Sequence, residues 1–265
     1  MNDVHILLRA TCAIYAGAAR DAWRALVRNP WLALLVPAYT VLLHLAAILA
    51  APLGFAGGFL LGFALAACAS SFLAVLEQAT SHERVDFGAL GSSFGRYLWS
   101  VVSIFFIFWI IQFLLSAIIE TNAGLAWLAV LVNAALFVVC NPVPELIYQS
   151  PRDGMQLVDE AITFTRENAV EWLAPVAILL LPLFALDVRT GLLIMSSIGP
   201  TNALGYAMMG LSSLLPNMGP VGLLVIAVLA SAGIAWVMLF RGFLFRVLSR
   251  SGRRQRIFDA RMRGL

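Results

Sequence analysis

NPVPELIYQSPRDGMQLVDEAITFTRENAVEW, residues 141–172, is the longest polar interruption between strongly apolar segments of this 265-residue chain, and its reading decides the fold. Pro142 and Pro144 lack an amide N–H and bias the residues before them away from helix. The apolar segment arriving from Leu125 is therefore predicted to kink or fray here, with Glu145 beside the freed carbonyls near a membrane face. Asp153 is placed to cap a new helix, and Gln156 three residues on would complete a capping box. At about 100° per residue, Phe164, Leu157, Ala161, Val158, Ile162 and Met155 fall on one half of that helix, and Arg166, Asp159, Gln156, Glu167 and Glu160 on the other. That is the pattern of a helix lying in the headgroup plane, so the whole stretch reads as a membrane-surface connector.

Composition sets the class around it: 62% hydrophobic, 12% charged and a mean hydropathy of +0.92 are far from a soluble average. The apolar segments run about 20 residues without strand-like alternation, which predicts an all-α, polytopic membrane bundle and not a closed barrel. All 17 basic residues are arginine, which excludes Schiff-base and P-loop lysine chemistry. Cys12, Cys68 and Cys140 lie far apart, with no metal-ligand spacing, and read as small apolar residues. The N-terminus carries a charged amphipathic stretch in place of a short basic region and cleavable apolar core, which argues against a signal peptide.

Six spans are predicted, at about 31–50, 55–76, 97–119, 124–140, 172–186 and 221–240. Residues 3–28 precede them as a surface helix, with Ile14, Leu7, Ala18, Thr11, Ala22, Tyr15, Leu8 and Leu26 on one side and Arg9, Arg20 and Arg24 on the other. Pro52-Leu53-Gly54 turns the first span into the second. Along the second, Gly54, Gly58, Gly62, Ala66, Ser70 and Ala74 recur every fourth residue, a candidate helix-packing track within the monomer or at a homo-oligomer seam. Asp86 can cap a short helix carrying Leu90 and Phe94. Pro175 and Pro182 are expected to bend the fifth span. Residues 187–220 are apolar but broken by glycine and proline, and read as re-entrant or interfacial helices or a lid.

Arginine counting orients the chain: with six spans and both termini inside, 16 of the 17 arginines are cytoplasmic and only Arg189 is outside. Residues 1–248 then form the integral membrane domain and 249–265 a basic cytoplasmic tail. From Arg241 onward there are eight arginines against one acid, Asp259. Arg250, Arg253, Arg254, Arg256, Arg261 and Arg263 are the candidate contacts for anionic lipid headgroups, at roughly 1 kcal/mol each near the surface. No nucleic-acid fold or aromatic interleaving accompanies them, so nucleic acid is not the favoured partner. RNPW at Arg28, RYLW at Arg96 and RENAVEW at Arg166 each place a tryptophan at the opening of a span, which reads as three parallel units of cytoplasmic amphipathic helix plus hairpin.

NPVPELIYQ, followed by the helix to Asn168 and Trp172, resembles poorly characterised bacterial multi-pass membrane families in which surface helices alternate with hairpins. Among them is the membrane domain attached to some glycerophosphodiester phosphodiesterases. The resemblance covers the six-span layout and the proline-glutamate break, and no phosphodiesterase domain accompanies it here. It implies an integral component of the bacterial cytoplasmic (inner) membrane.

Chemistry is sparse. No HExxH, P-loop or dinucleotide motif occurs, and His5, His44 and His82 have no ligand partners at helical spacing, so no catalytic residue, cofactor or metal is assigned. His44, Gln112 and Asn133 each fall about eight residues, or roughly 12 Å, from the outer end of their spans, forming a candidate intramembrane polar cluster between spans one, three and four. Two functions follow: a non-enzymatic accessory or scaffold protein that organises lipid and protein partners at the inner leaflet, or a transporter or permease component built on that polar layer. Parallel repeats and the lack of midplane charges favour the first.

Overall fold

The structure is a computed structural model that describes residues 3–81, 84–86, 88, 90–186 and 220–250. These form α1 (Asp3–Arg28), α2 (Leu32–Ala50), α3 (Phe55–Thr80), α4 (Leu90–Ser93), α5 (Leu98–Thr121), α6 (Ala126–Val139), α7 (Val143–Gln149), α8 (Met155–Leu186) and α9 (Pro220–Arg250), with no strand among the described residues. Five stretches are long and apolar enough to cross a membrane: Leu32–Leu53, Phe55–Thr80, Leu90–Thr121, Trp127–Gln149 and Ala227–Arg250. The expected span 172–186 is helical as the second part of α8 and is not one of the five. The expected pieces in 187–219 and the tail after Arg250 lie outside the described residues, Arg189 among them.

Helix α9 is the post for α1, α2, α3, α7 and α8, while α5 packs on α3 and α6 on α8. Helices α1, α2 and α3 pack along it, and Ala235, Leu239 and Leu244 are all but fully buried there. Every four residues or so α1 gives that contact a small side chain, Ala18, Ala22 and Ala25, so the two helices approach closely. Its arginines Arg9, Arg20 and Arg24 stay exposed, as the periodicity predicts. The outer faces of the spans carry exposed Leu45, Leu49, Phe55, Phe59, Trp109 and Phe113, which in a bilayer meet hydrocarbon.

The first hairpin closes as its sequence predicts. Ala51–Leu53 makes one 3-10 turn with proline at its start, and Gly54 takes φ +54°, a conformation glycine adopts without a Cβ penalty. Within one chain the outer half of the small-residue track faces no neighbour. Gly58 and Gly62 are exposed, and a Cβ on either would meet nothing within 4 Å, as at Gly54. The glycine that permits close approach is Gly57, where a Cβ would run into the Ala50 carbonyl. The inner half of the track, Ala66, Ser70 and Ala74, is buried.

That inner half also bonds. Ser93 Oγ donates to the Leu90 carbonyl, 2.6 Å, so it accepts from Ser71 Oγ at 2.6 Å, which in turn accepts from the Tyr39 hydroxyl at 2.7 Å. Ser70 Oγ receives the Tyr97 amide at 2.9 Å. One turn of helix, α4, is thereby held against α3 although it is too short to be stable alone. Asp86, four residues before it, accepts the Gly88 amide at 2.9 Å in a tight turn.

Helix α8 kinks at Asn168 (φ −124°, ψ 20°) and not at a proline. The side-chain amide of Asn168 donates to the Phe164 carbonyl at 3.2 Å, inserting itself into the backbone ladder. Pro175 has a different consequence. It has no N–H for the carbonyl of Glu171 four residues earlier, and that carbonyl accepts the Tyr15 hydroxyl of α1 at 2.7 Å. Burial, then the Glu171 and Cys12 charges, push the Tyr15 phenol up to about 12.

Candidate functional site

The proline break in the 141–172 stretch is buried against other helices. Within α7, Val143, Glu145, Leu146, Ile147 and Tyr148 are all buried, against α3, α8 and α9. Leu157, Ala161, Phe164, Thr165, Asn168, Glu171 and Trp172 of α8 form one buried stripe, while Met155 and Ile162 of the predicted apolar face are exposed. The Asp153 carboxylate accepts the hydroxyl of Ser100 on α5, and among the described residues it forms no capping box with Gln156. Trp172 is 2% exposed and packs edge-on to Phe164, at 5.3 Å, and to Phe245, at 6.0 Å, whereas Trp99 stands exposed. The three Arg-to-Trp units are therefore unlike in packing, and α4 is a single turn where α1 has 26 residues.

Breaking a helix with Pro142 and Pro144 strands carbonyls, and in an apolar interior each needs a donor. Side chains from distant helices supply them. Thr165 of α8 donates to the Val139 carbonyl at 3.4 Å, and Arg241 Nη2 of α9 donates to the Asn141 carbonyl at 2.6 Å. The same guanidinium closes a fork on Glu145: Nε to Oε1 at 2.7 Å and Nη2 to Oε2 at 2.9 Å, with Nη1 donating to Asn141 Oδ1 at 3.1 Å. The plane of Arg241 lies 4.9 Å from the Trp172 ring centroid. Gln149 adds a bond to the Gly242 carbonyl at 3.1 Å, and one turn on, Arg246 Nη1 caps the C-terminal end of α3 through the Thr80 carbonyl at 2.8 Å.

Glu145 is fully buried and the Arg241 side chain only 16% exposed, so this is an acid–base pair removed from water. Both carboxylate oxygens and all three guanidinium nitrogens are engaged. With four guanidinium N–H bonds made inside the protein, the pair works as a clamp that fixes α7 against α9. Sequence reasoning placed Arg241 and Arg246 in the basic tail and found no acid within a span; the structure places both arginines inside the bundle and Glu145 in the stretch Trp127–Gln149. A signal was present. Arg241 and Arg246 sit in VMLFRGFLFRVL with apolar residues on either side, and a lone acid in another apolar run is the expected partner of such an arginine.

Of the candidate polar cluster, Gln112 and Asn133 meet, Gln112 Nε2 donating to Asn133 Oδ1 at 2.5 Å. His44 is exposed on α2, whose neighbours are α1-bound α9 and α3, and it makes no bond to either amide. The layer invoked for a transport path is thus one pair between α5 and α6. Among the candidate lipid contacts, Arg250 is exposed in the last turn of α9, and Arg253, Arg254, Arg256, Arg261 and Arg263 lie outside the described residues. No group of three or more His, Cys, Asp or Glu side chains that could hold a metal occurs among the described residues. No family model, curated protein or solved structure matches the chain.

The connectors carrying these bonds share one end of the bundle. Asn29 Oδ1, in the α1–α2 joint, accepts the Val85 amide at 3.1 Å, which adds a further tie to those of Arg246 with Thr80, Arg241 with Asn141, and Asp153 with Ser100. Arg28, Arg84, Arg96, Arg152 and Arg250 are exposed in or beside these connectors, whereas the turns Ala51–Gly54 and Asn122–Leu125 carry no arginine. Arg96 is paired, at 2.9 Å, with Glu77, which also accepts the Tyr97 hydroxyl at 2.7 Å.

Proposed function

We propose that this chain is a non-enzymatic accessory or scaffold protein of the bacterial cytoplasmic membrane, with six spans, both termini cytoplasmic and an arginine-rich inner end that engages anionic headgroups and holds protein partners there. The observation that carries the reading is the set of exposed arginines, among the described residues, in or beside the connectors at one end, which are tied to one another by hydrogen bonds. Guanidinium forks take phosphate oxygens in pairs, and the positive-inside bias puts such an end at the inner leaflet. The Arg241–Glu145 fork supports a structural role for this buried charge pair, consistent with a protein that presents a surface and performs no turnover.

Reporter fusions at Gly264 and within 203–210 test the topology: the first should read cytoplasmic and the second external. The reverse result at either site removes the inner-leaflet reading. Pull-down of the full chain from mild detergent, with mass spectrometry of protein and lipid together, tests the rest: anionic lipid and at least one protein should be retained in stoichiometric amounts. Recovery of the chain alone, with zwitterionic lipid only, sinks the scaffold proposal.

A further inference from the structure

Where α1 crosses α9 an open-sided groove of about 470 Å³ is lined by Ala19, Trp23 and Leu26 from one helix and Ala232, Gly233 and Trp236 from the other. That is the size of a small-ligand site, and its lining is almost wholly apolar. Trp236 stacks on Phe240 at 5.9 Å, and Phe240 meets Tyr15 edge-on at 6.4 Å, so an aromatic wall continues from one side of the groove. Gly233 leaves the floor open: a Cβ there would meet nothing within 4 Å.

The groove has a charged edge. On α1, Arg20 lies three residues before Trp23 and four before Arg24, so by helical spacing it neighbours both. Both arginines are exposed. Arg24 shares its charge with Asp21 at 3.6 Å, and Arg20 has no ion-pair partner among the described residues. An apolar slot flanked by two tryptophans and edged by guanidiniums matches one molecule by shape and charge: an acyl chain in the slot, a phosphate at the edge.

We propose that the α1–α9 groove binds an anionic phospholipid drawn from the bilayer, with one acyl chain between Trp23 and Trp236 and the headgroup phosphate at Arg20 and Arg24. The proposal rests on the membrane reading above and narrows its lipid contact to one site.

Native mass spectrometry of the full chain in mild detergent, with phosphatidylglycerol or phosphatidylcholine of identical chains, tests it. One phosphatidylglycerol should be retained in preference to phosphatidylcholine. Gly233→Leu fills the slot without touching a charge and should cut that retention at least fivefold while the melting temperature holds or rises. Arg20→Gln with Arg24→Gln should reduce the preference by about fivefold per arginine, since roughly 1 kcal/mol each is a factor of about five. Unchanged retention in Gly233→Leu, equal retention of the two lipids by the unaltered chain, or displacement of the lipid by inorganic phosphate alone each overturns the groove. A folded Gly233→Leu chain that loses the retained lipid yet still prefers anionic vesicles supports the groove and the wider reading together. Loss of any anionic preference in the unaltered chain defeats both, whereas reversed reporter fusions defeat the topology alone.

Discussion

Arg241 and Glu145, 96 residues apart in the chain, meet as a parallel fork with contacts of 2.7 and 2.9 Å, and Trp172 covers the guanidinium. Removing one member of a buried pair leaves the other charged and unsolvated, which costs about 3–5 kcal/mol. Glu145→Ala and Arg241→Ala should each lower the melting temperature in detergent sharply. The double variant should lose less than the sum, because neither charge is then stranded. Strict additivity would show the pair to be solvated in the native protein.

Gly242 is predicted to be intolerant of any side chain, since a Cβ there would stand 2.5 Å from the Tyr148 hydroxyl and 3.1 Å from Thr80 Cγ2. Gly242→Ala should destabilise by about 1–3 kcal/mol, the range for overpacking. The Tyr148 hydroxyl is buried with no hydrogen-bond partner among the described residues, so Tyr148→Phe should be neutral or stabilising and should partly rescue Gly242→Ala. Failure of that rescue would assign the constraint to Thr80.

A parallel contrast separates neighbouring glycines in α3. Gly57→Ala should destabilise because the Ala50 carbonyl, which is backbone, blocks the Cβ. Gly58→Leu with Gly62→Leu should leave the monomer's melting temperature unchanged, as both positions are open. A fall in oligomer mass for that second variant would reveal a seam between copies on this face.

The Tyr15 bond to the Glu171 carbonyl should depend on Pro175. Tyr15→Phe should cost about 1 kcal/mol in the native sequence and markedly less in Pro175→Ala, where the restored N–H takes the same carbonyl. A double-mutant cycle on thermal stability reads the coupling; zero coupling would mean that the carbonyl is satisfied without Tyr15.

The same phenol sets a pH dependence. Its value rises from 10.0 to about 12 on folding, so its contribution is complete below pH 10 and is lost as pH climbs through about 12. Phenolate absorbance near pH 12 should lose one tyrosine's amplitude in Tyr15→Phe. Loss of amplitude near pH 10 instead, with the late part of the curve unchanged, would place Tyr15 in water.

The sequence by itself determined the helical class of the described residues, the five stretches long and apolar enough to cross a membrane, the Pro52–Gly54 turn and the amphipathic α1, because hydropathy, periodicity and proline or glycine chemistry act along a few consecutive residues. It also located the proline break at 142–144. What fills that break was decided only by the tertiary structure: Thr165 and Arg241 reach it from helices far along the chain, and no local pattern encodes which distant donor comes within 3 Å of a freed carbonyl. The same holds for the glycines. Spacing every four residues puts Gly54, Gly58 and Gly62 on one face, but which face meets a neighbour depends on how α2 and α9 are rotated, and that rotation exposes Gly58 and makes Gly57 and Gly242 the tight positions. Asn168 kinks α8, ahead of Pro175, because an amide side chain can replace its own backbone donor once surrounding aromatic packing holds the bend.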